Sequence, residues 1–221
     1  MTSFVLINQS SQDGAQLAHI AAAVELQLNC DFAPYWGGSY KVRVGAATDV
    51  AAVGDVAVLL LDALPDAPDA AGYHDTLPNG APIIRIVFDA SVSVTISHEC
   101  LETAADPGAN RWAWGTDGSE YALEVCDPVE AFSYDIDGVS VSAFVLPDYF
   151  DPGSTGPFAF PASAPMPLSP LTVAVSGGQN YQIVATIGGN EKQVTARGCV
   201  SKPEKRGHPS SRTYKRGVRL A

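Results

Sequence analysis

The chain has 221 residues, a formal net charge of −11 and 46% hydrophobic residues, enough for at least one domain with its own core. Its four cysteines (Cys30, Cys100, Cys126 and Cys199) are far apart and form no C-x-x-C pair, which excludes a zinc ribbon and a dense disulfide framework. The sequence also has no nucleophile elbow, no phosphate-binding loop and no dinucleotide fingerprint, so serine-hydrolase and nucleotide-dependent chemistries find no support.

The N-terminus, MTSFVLINQS, precedes the first basic residue, Lys41, by a long interval and carries no extended apolar run. No secretory or mitochondrial presequence is therefore expected, and the chain reads as cytoplasmic. Phe4 to Asn8 reads as an opening strand. Asp13 is placed to cap the helix that follows, where Leu17, Ile20, Ala21, Val24 and Leu28 recur at helical spacing. Pro34, Gly37 and Gly38 are expected to end it. Tyr40 to Val44 alternates like a half-buried strand, and VAVLLL at 56–61 reads as a buried one, far short of the ~20 residues that span a bilayer. Ile83 to Phe88 reads as a third strand after a loop, DALPDAPDAAGYHDTLPNGAP. A helix is expected from near Ser91 to near Asp106, because Pro107 disfavours helical geometry before it. Further strands follow, with Asp137-Gly138 marking a hairpin. A Pro/Gly/Ser-rich connector and one or two terminal hairpins come next.

The helix before Pro107 contains His98-Glu99-Cys100-Leu101-Glu102. A zinc helix of the H-E-x-x-H type places two histidines four residues apart on one face, with the glutamate between them as general base. Here the second histidine position holds Glu102. His98 and Glu102 can still approach one ion, with Glu99 beside them, and glutamate is an established zinc ligand. An ordinary amphipathic helix produces the same letters with Glu99 or Glu102 facing solvent.

The order strand, helix, three strands, H-E-x-x helix resembles the catalytic subdomain of zincin metallopeptidases, metzincins in particular. The combination CDFAPYWG, AAGYHD, SHECLETAADP, EVCDPVE and VSAFVLPDYFDP is similar to a group of bacterial and phage proteins regarded as metallopeptidase-like, over roughly residues 4 to 152. The resemblance implies an α+β fold. A zincin-like mixed sheet with a first helix and an active-site helix would occupy 1–152, and a connector with β-hairpins 153–190. A basic tail would occupy 191–221. It also implies that Ile83 to Phe88 is the edge strand along the cleft, able to pair with an extended peptide. The ion, zinc or another divalent cation, would lie beneath it on His98 and Glu102, with Glu99 as base. The chain departs from metzincins at Glu102, at Ala105 where they carry glycine, and in having no methionine between the helix and Met166.

Two candidates for a third ligand stand level. Asp106 lies eight residues past His98, about 12 Å along an unbroken helix, so it reaches the ion only if the chain turns first. Asp127 lies at a turn opened by Pro128, and Glu124 stands behind both. His74, in AAGYHD, reads as a turn histidine that could orient a substrate carbonyl or add a ligand. Residues 1–190 carry four basic and 22 acidic residues, whereas 191–221 carry nine basic and two acidic. So acidic a body disfavours nucleic acid. The basic tail suits docking on an acidic neighbour. The expected function is a metal-dependent hydrolase, most plainly a peptidase acting on peptide or protein. The competing expectation is an inactive zincin-shaped subunit of a virion or other assembly, gripping neighbours or further copies through its tail.

Overall fold

The computed structural model describes residues 1–49, 52, 54–167, 169–175, 180–185, 191–196 and 198–200. The protein is mixed α/β and mostly strand, of the α+β class. It divides into two compact units, Met1–Pro107 with Tyr134–Ser142, and Gly108–Ser133 with Ala143–Ala221. The expected boundary at residue 152 falls inside the second unit.

The first unit is built on strands β1 (Thr2–Asn8), β2 (Tyr40–Gly45), β3 (Asp55–Leu61), β4 (Gly72–Thr76) and β5 (Pro82–Val87), in the order β2-β1-β3-β5-β4. β1 pairs in parallel with β2 and β3, and β3 with β5. β4 alone is antiparallel, with Gly72 opposite Ile86 and Thr76 opposite Pro82. Phe4, Val5, Leu6 and Ile7 are all buried. Such an unbroken apolar run belongs to a parallel strand covered on both faces.

This topology corrects two expectations. The segment Ile83 to Phe88 is not an edge strand: it lies mostly in β5, which is paired on both sides. It cannot accept a peptide by strand addition. The edge is instead β4, formed by residues whose Asp, Pro and Gly neighbours made them read as loop.

Helix α1 (Leu17–Leu26) buries Leu17, Ile20, Ala21 and Val24, the spacing expected of its apolar face. Asp13 does not cap it. Its carboxylate accepts the Ala15 N–H at 3.0 Å in a turn ahead of the helix. The chain then passes through a π-helical turn, Gln27–Phe32, into the short helix α2 (Ala33–Trp36). Pro34 falls in the first turn of α2, where a missing N–H costs no helical bond, and Gly37 stops the helix at φ +78°.

Side chains from this helical segment close the outer side of β2. Asn29 donates through Nδ2 to the Tyr40 carbonyl (2.9 Å) and accepts the Tyr40 N–H on Oδ1 (3.0 Å). Glu25 Oε2 accepts the Val42 N–H at 2.8 Å. These are bonds a further strand would make, so this edge is satisfied at Tyr40 and at the Val42 amide.

Helix α3 (Val92–Ala105) follows β5 and spans the residues expected of it to within one position at either end. A closed ring of buried hydrogen bonds ties it down. Ser97 Oγ donates to Gln27 Oε1 (2.7 Å), Gln27 Nε2 donates to the Ser142 carbonyl (2.8 Å), and the Ser142 N–H donates to Ser97 Oγ (2.9 Å). Ser142 lies on a hairpin, Ser133–Ile136 with Val139–Ser142, whose turn is the expected Asp137-Gly138 with φ +51° and +82°. Positive φ at both positions is what a two-residue hairpin turn demands.

The second unit holds an antiparallel sheet in the order Gly198–Val200, Glu191–Thr195, Tyr181–Ala185, Glu120–Ala122, Trp112–Trp114. The expected terminal hairpin is present as Tyr181–Ala185 paired with Glu191–Thr195. Trp112, Ala122 and Ala185 form a buried cluster. Tyr149 donates its hydroxyl to Gln182 Oε1 at 3.1 Å, and Gln182 Nε2 donates to the Ala122 carbonyl at 2.7 Å. Most of the basic tail, 201–221, lies outside the described residues. Among the described residues no helix is long and apolar enough to cross a membrane.

Candidate metal centre

In the first unit, β4 and α3 bring together His74, Glu99 and Glu102, whose donor atoms lie within 4.8 Å of one another. β4 reaches α3 through Gly72, which shares a face with His74 because strand residues alternate. A Cβ at Gly72 would lie 2.8 Å from Thr95 Cγ2 and 3.2 Å from Glu99 Oε1. Only glycine lets the strand backbone come this close to the helix.

Helical spacing then sets the rest. Glu99 and Glu102 are three residues apart and His98 and Glu102 four, so all three flank one stripe of α3. His74 Nδ1 stands 3.4 Å from Glu99 Oε2 and 3.5 Å from Glu102 Oε2. On the other side, His98 Nε2 stands 3.4 Å from Glu102 Oε1. Side-chain exposure is 6% for His74, 7% for Glu99, 4% for Glu102 and 14% for His98. The two glutamates therefore do not face solvent, which sets this helix apart from an ordinary amphipathic one.

The separations are informative. A charge-assisted N–H···O bond closes to about 2.7–2.9 Å; the bond between His74 Nδ1 and Glu99 Oε2, at 3.4 Å, is a long one. Two ligands of a tetrahedral zinc, each at about 2.0–2.2 Å from the ion, are about 3.4 Å apart. The spacing is compatible with donors around a cation.

Electrostatics divides the two carboxyls. Burial pushes Glu99 up from its ordinary value; His74 and His98 draw it partly back, and the neighbouring Glu102 opposes them. Burial also raises Glu102, but the charges of His98 and His74, one imidazole on each of its oxygens, outweigh this and hold it well below the usual carboxylate range. The two neighbouring carboxyls are therefore driven in opposite directions.

The remaining candidates are placed as follows. Asp106 ends α3, with φ −137° and its N–H on the Glu102 carbonyl at 2.7 Å. It is buried, but it is not gathered with His74, Glu99 and Glu102. Asp127 and Glu124 are buried residues of the second unit, Asp127 opening a short 3₁₀ turn with Pro128. The residue that the sequence undervalued is His74, a strand residue rather than a turn residue. Its only signal was the alternation Gly72, His74, Thr76, with a glycine where a helix had to pass.

The outer side of β4 can be worked out from its register. The Val87 N–H donates to the Ala71 carbonyl and the Leu77 N–H to the Ala81 carbonyl, each at 2.8 Å. Between these two points alternation turns the amides of Tyr73 and Asp75 toward β5 and those of Gly72, His74 and Thr76 away from it. Asp75 Oδ1 accepts the Thr76 N–H at 2.5 Å.

No family model, curated protein or solved structure matches this chain.

Proposed function

We propose that the chain is a metal-dependent hydrolase of zincin type, acting on peptide bonds, with His98 and Glu102 holding the ion and Glu99 carrying the proton. The observation that supports it best is the buried group itself: Glu102 with an imidazole at each oxygen, and Glu99 beside it across His74. One imidazole with carboxylates suits zinc and also harder divalent ions. A divalent cation, when bound, supplies Lewis acidity at this point.

The chain's own residues do the rest. Glu102, ionised, provides charge that the cation neutralises. Glu99 takes the proton of an attacking water and returns it to the leaving nitrogen, a task suited to a carboxyl whose proton is held more tightly than usual. His74 positions Glu99 through its Nδ1. β4, at the edge of the sheet, offers an extended substrate a place beside the site by strand addition.

The test is metal analysis of protein purified without chelator, together with cleavage of an unfolded protein substrate. The native chain should retain metal and cleave. His98→Ala and Glu102→Ala should each lose the ion, and Glu99→Gln should keep it while losing turnover by about 10²–10⁴. Full metal content in His98→Ala, or undiminished cleavage by Glu99→Gln, would overturn the assignment.

A further inference from the structure

His74 and His98 address different oxygens of one carboxylate: His74 faces Glu102 Oε2 and His98 faces Glu102 Oε1. Among the described residues, no group whose donor atoms lie within 4.8 Å of one another contains both histidines. Two ligands on one ion at about 2.1 Å cannot be more than about 4.2 Å apart. As the side chains stand, an ion held by His98 is therefore not held by His74.

We infer that His74 Nδ1, Glu99 Oε2 and Glu102 Oε2 form a second divalent-cation position, sharing Glu102 with the first, and that an ion there takes Glu99 out of proton transfer. Several observations converge on it. The donors come from two elements, β4 and α3, and include a buried imidazole. Their separations, 3.4 and 3.5 Å, also suit the edge of a tetrahedral shell. Gly72 removes the Cβ that would meet Glu99 Oε1 at 3.2 Å, so the strand backbone gives way where the carboxylate must stand. Glu99 and Glu102, ionised, supply the negative charge at this position, with the charge of Glu102 shared between the two positions.

The consequence is regulatory, and that part rests on the hydrolase reading; the metal position does not. An ion on the His98 side alone leaves Glu99 able to accept a proton. An ion on the His74 side makes Glu99 a ligand. Turnover therefore falls as the His74 side fills.

Equilibrium dialysis of the full chain, stripped with chelator and then titrated with zinc chloride, tests this without relying on activity. The native chain should saturate at two ions. His74→Ala should lose one and keep the other, His98→Ala should do the same, and Glu102→Ala should lose both. Circular dichroism of each metal-free variant checks its fold, and His74→Asn replaces His74→Ala if the latter unfolds. Saturation at one ion that His98→Ala abolishes would overturn the second position and leave the hydrolase reading standing. A single ion lost in His74→Ala but kept in His98→Ala would support the His74 position and overturn the ligand set of the hydrolase reading. Two ions retained in folded His74→Ala and His74→Asn would overturn the inference outright.

Discussion

Gly72 of β4 and Glu99 of α3 meet without a side chain between them: a methyl group on Gly72 would stand 3.2 Å from Glu99 Oε1 and 2.8 Å from Thr95 Cγ2. Gly72→Ala should therefore cost about 1–3 kcal/mol by overpacking and weaken metal binding at His74. Thr95→Ser removes the methyl that collides and should recover part of the loss in the double variant. Urea denaturation of the three variants checks this; an unchanged midpoint for Gly72→Ala would show that the strand can draw back from the helix.

Metal should stabilise the fold by mass action. At a free zinc concentration one hundred times the dissociation constant, the gain is about 2.7 kcal/mol for one site. The thermal midpoint of the native chain should rise accordingly with zinc and fall back with chelator. In Glu102→Gln, which keeps the shape but loses the charge both imidazoles face, the midpoint should not respond to zinc.

The ring formed by Ser97, Gln27 and Ser142 satisfies three buried groups at once. Gln27→Leu removes both amide atoms and leaves the Ser97 hydroxyl and the Ser142 carbonyl without those partners, a cost of about 1–3 kcal/mol for a buried polar group left unmet. Because Ser97 precedes His98, zinc affinity should fall along with stability. Titration calorimetry on the folded variant separates the two effects.

Tyr149 provides a test in alkali. Burial pushes its hydroxyl well above the ordinary value. The folded protein therefore holds this proton more tightly than the unfolded chain. The stability it contributes is fully present below the unfolded value of about 10 and declines as pH rises through and beyond it. Unfolding free energy measured from pH 8 to 11.5 should fall toward the alkaline end, and Tyr149→Phe should flatten that fall while giving up the bond to Gln182 Oε1.

Much of this was legible in the sequence where local chemistry decides. The helix of His98 is bounded by Pro107 on one side and its own apolar spacing on the other, and Asp137-Gly138 supplies the two positive φ angles of a hairpin. β4 was not legible, because GYHDT has little strand propensity and lies among turn formers; its conformation comes from pairing with β5. The π-helical turn was hidden for a related reason: Val24, Leu28 and Phe32 are spaced four apart and buried, a pattern compatible with an unbroken α-helix. His74 could not be assigned because its partners are 25 and 28 residues away, a distance that no local pattern spans.

The unequal edges of the first sheet limit how copies could join through it. A sheet open on both sides can be extended without end, each added strand presenting a new edge to the next, and this is the route to a fibre. Here the Tyr40 backbone and the Val42 N–H are already bonded to Asn29 and Glu25, so growth from β2 must first break those bonds. Two copies meeting β4 to β4 would leave at each far side an edge partly capped by Asn29 and Glu25, and a third copy would add there only by displacing them.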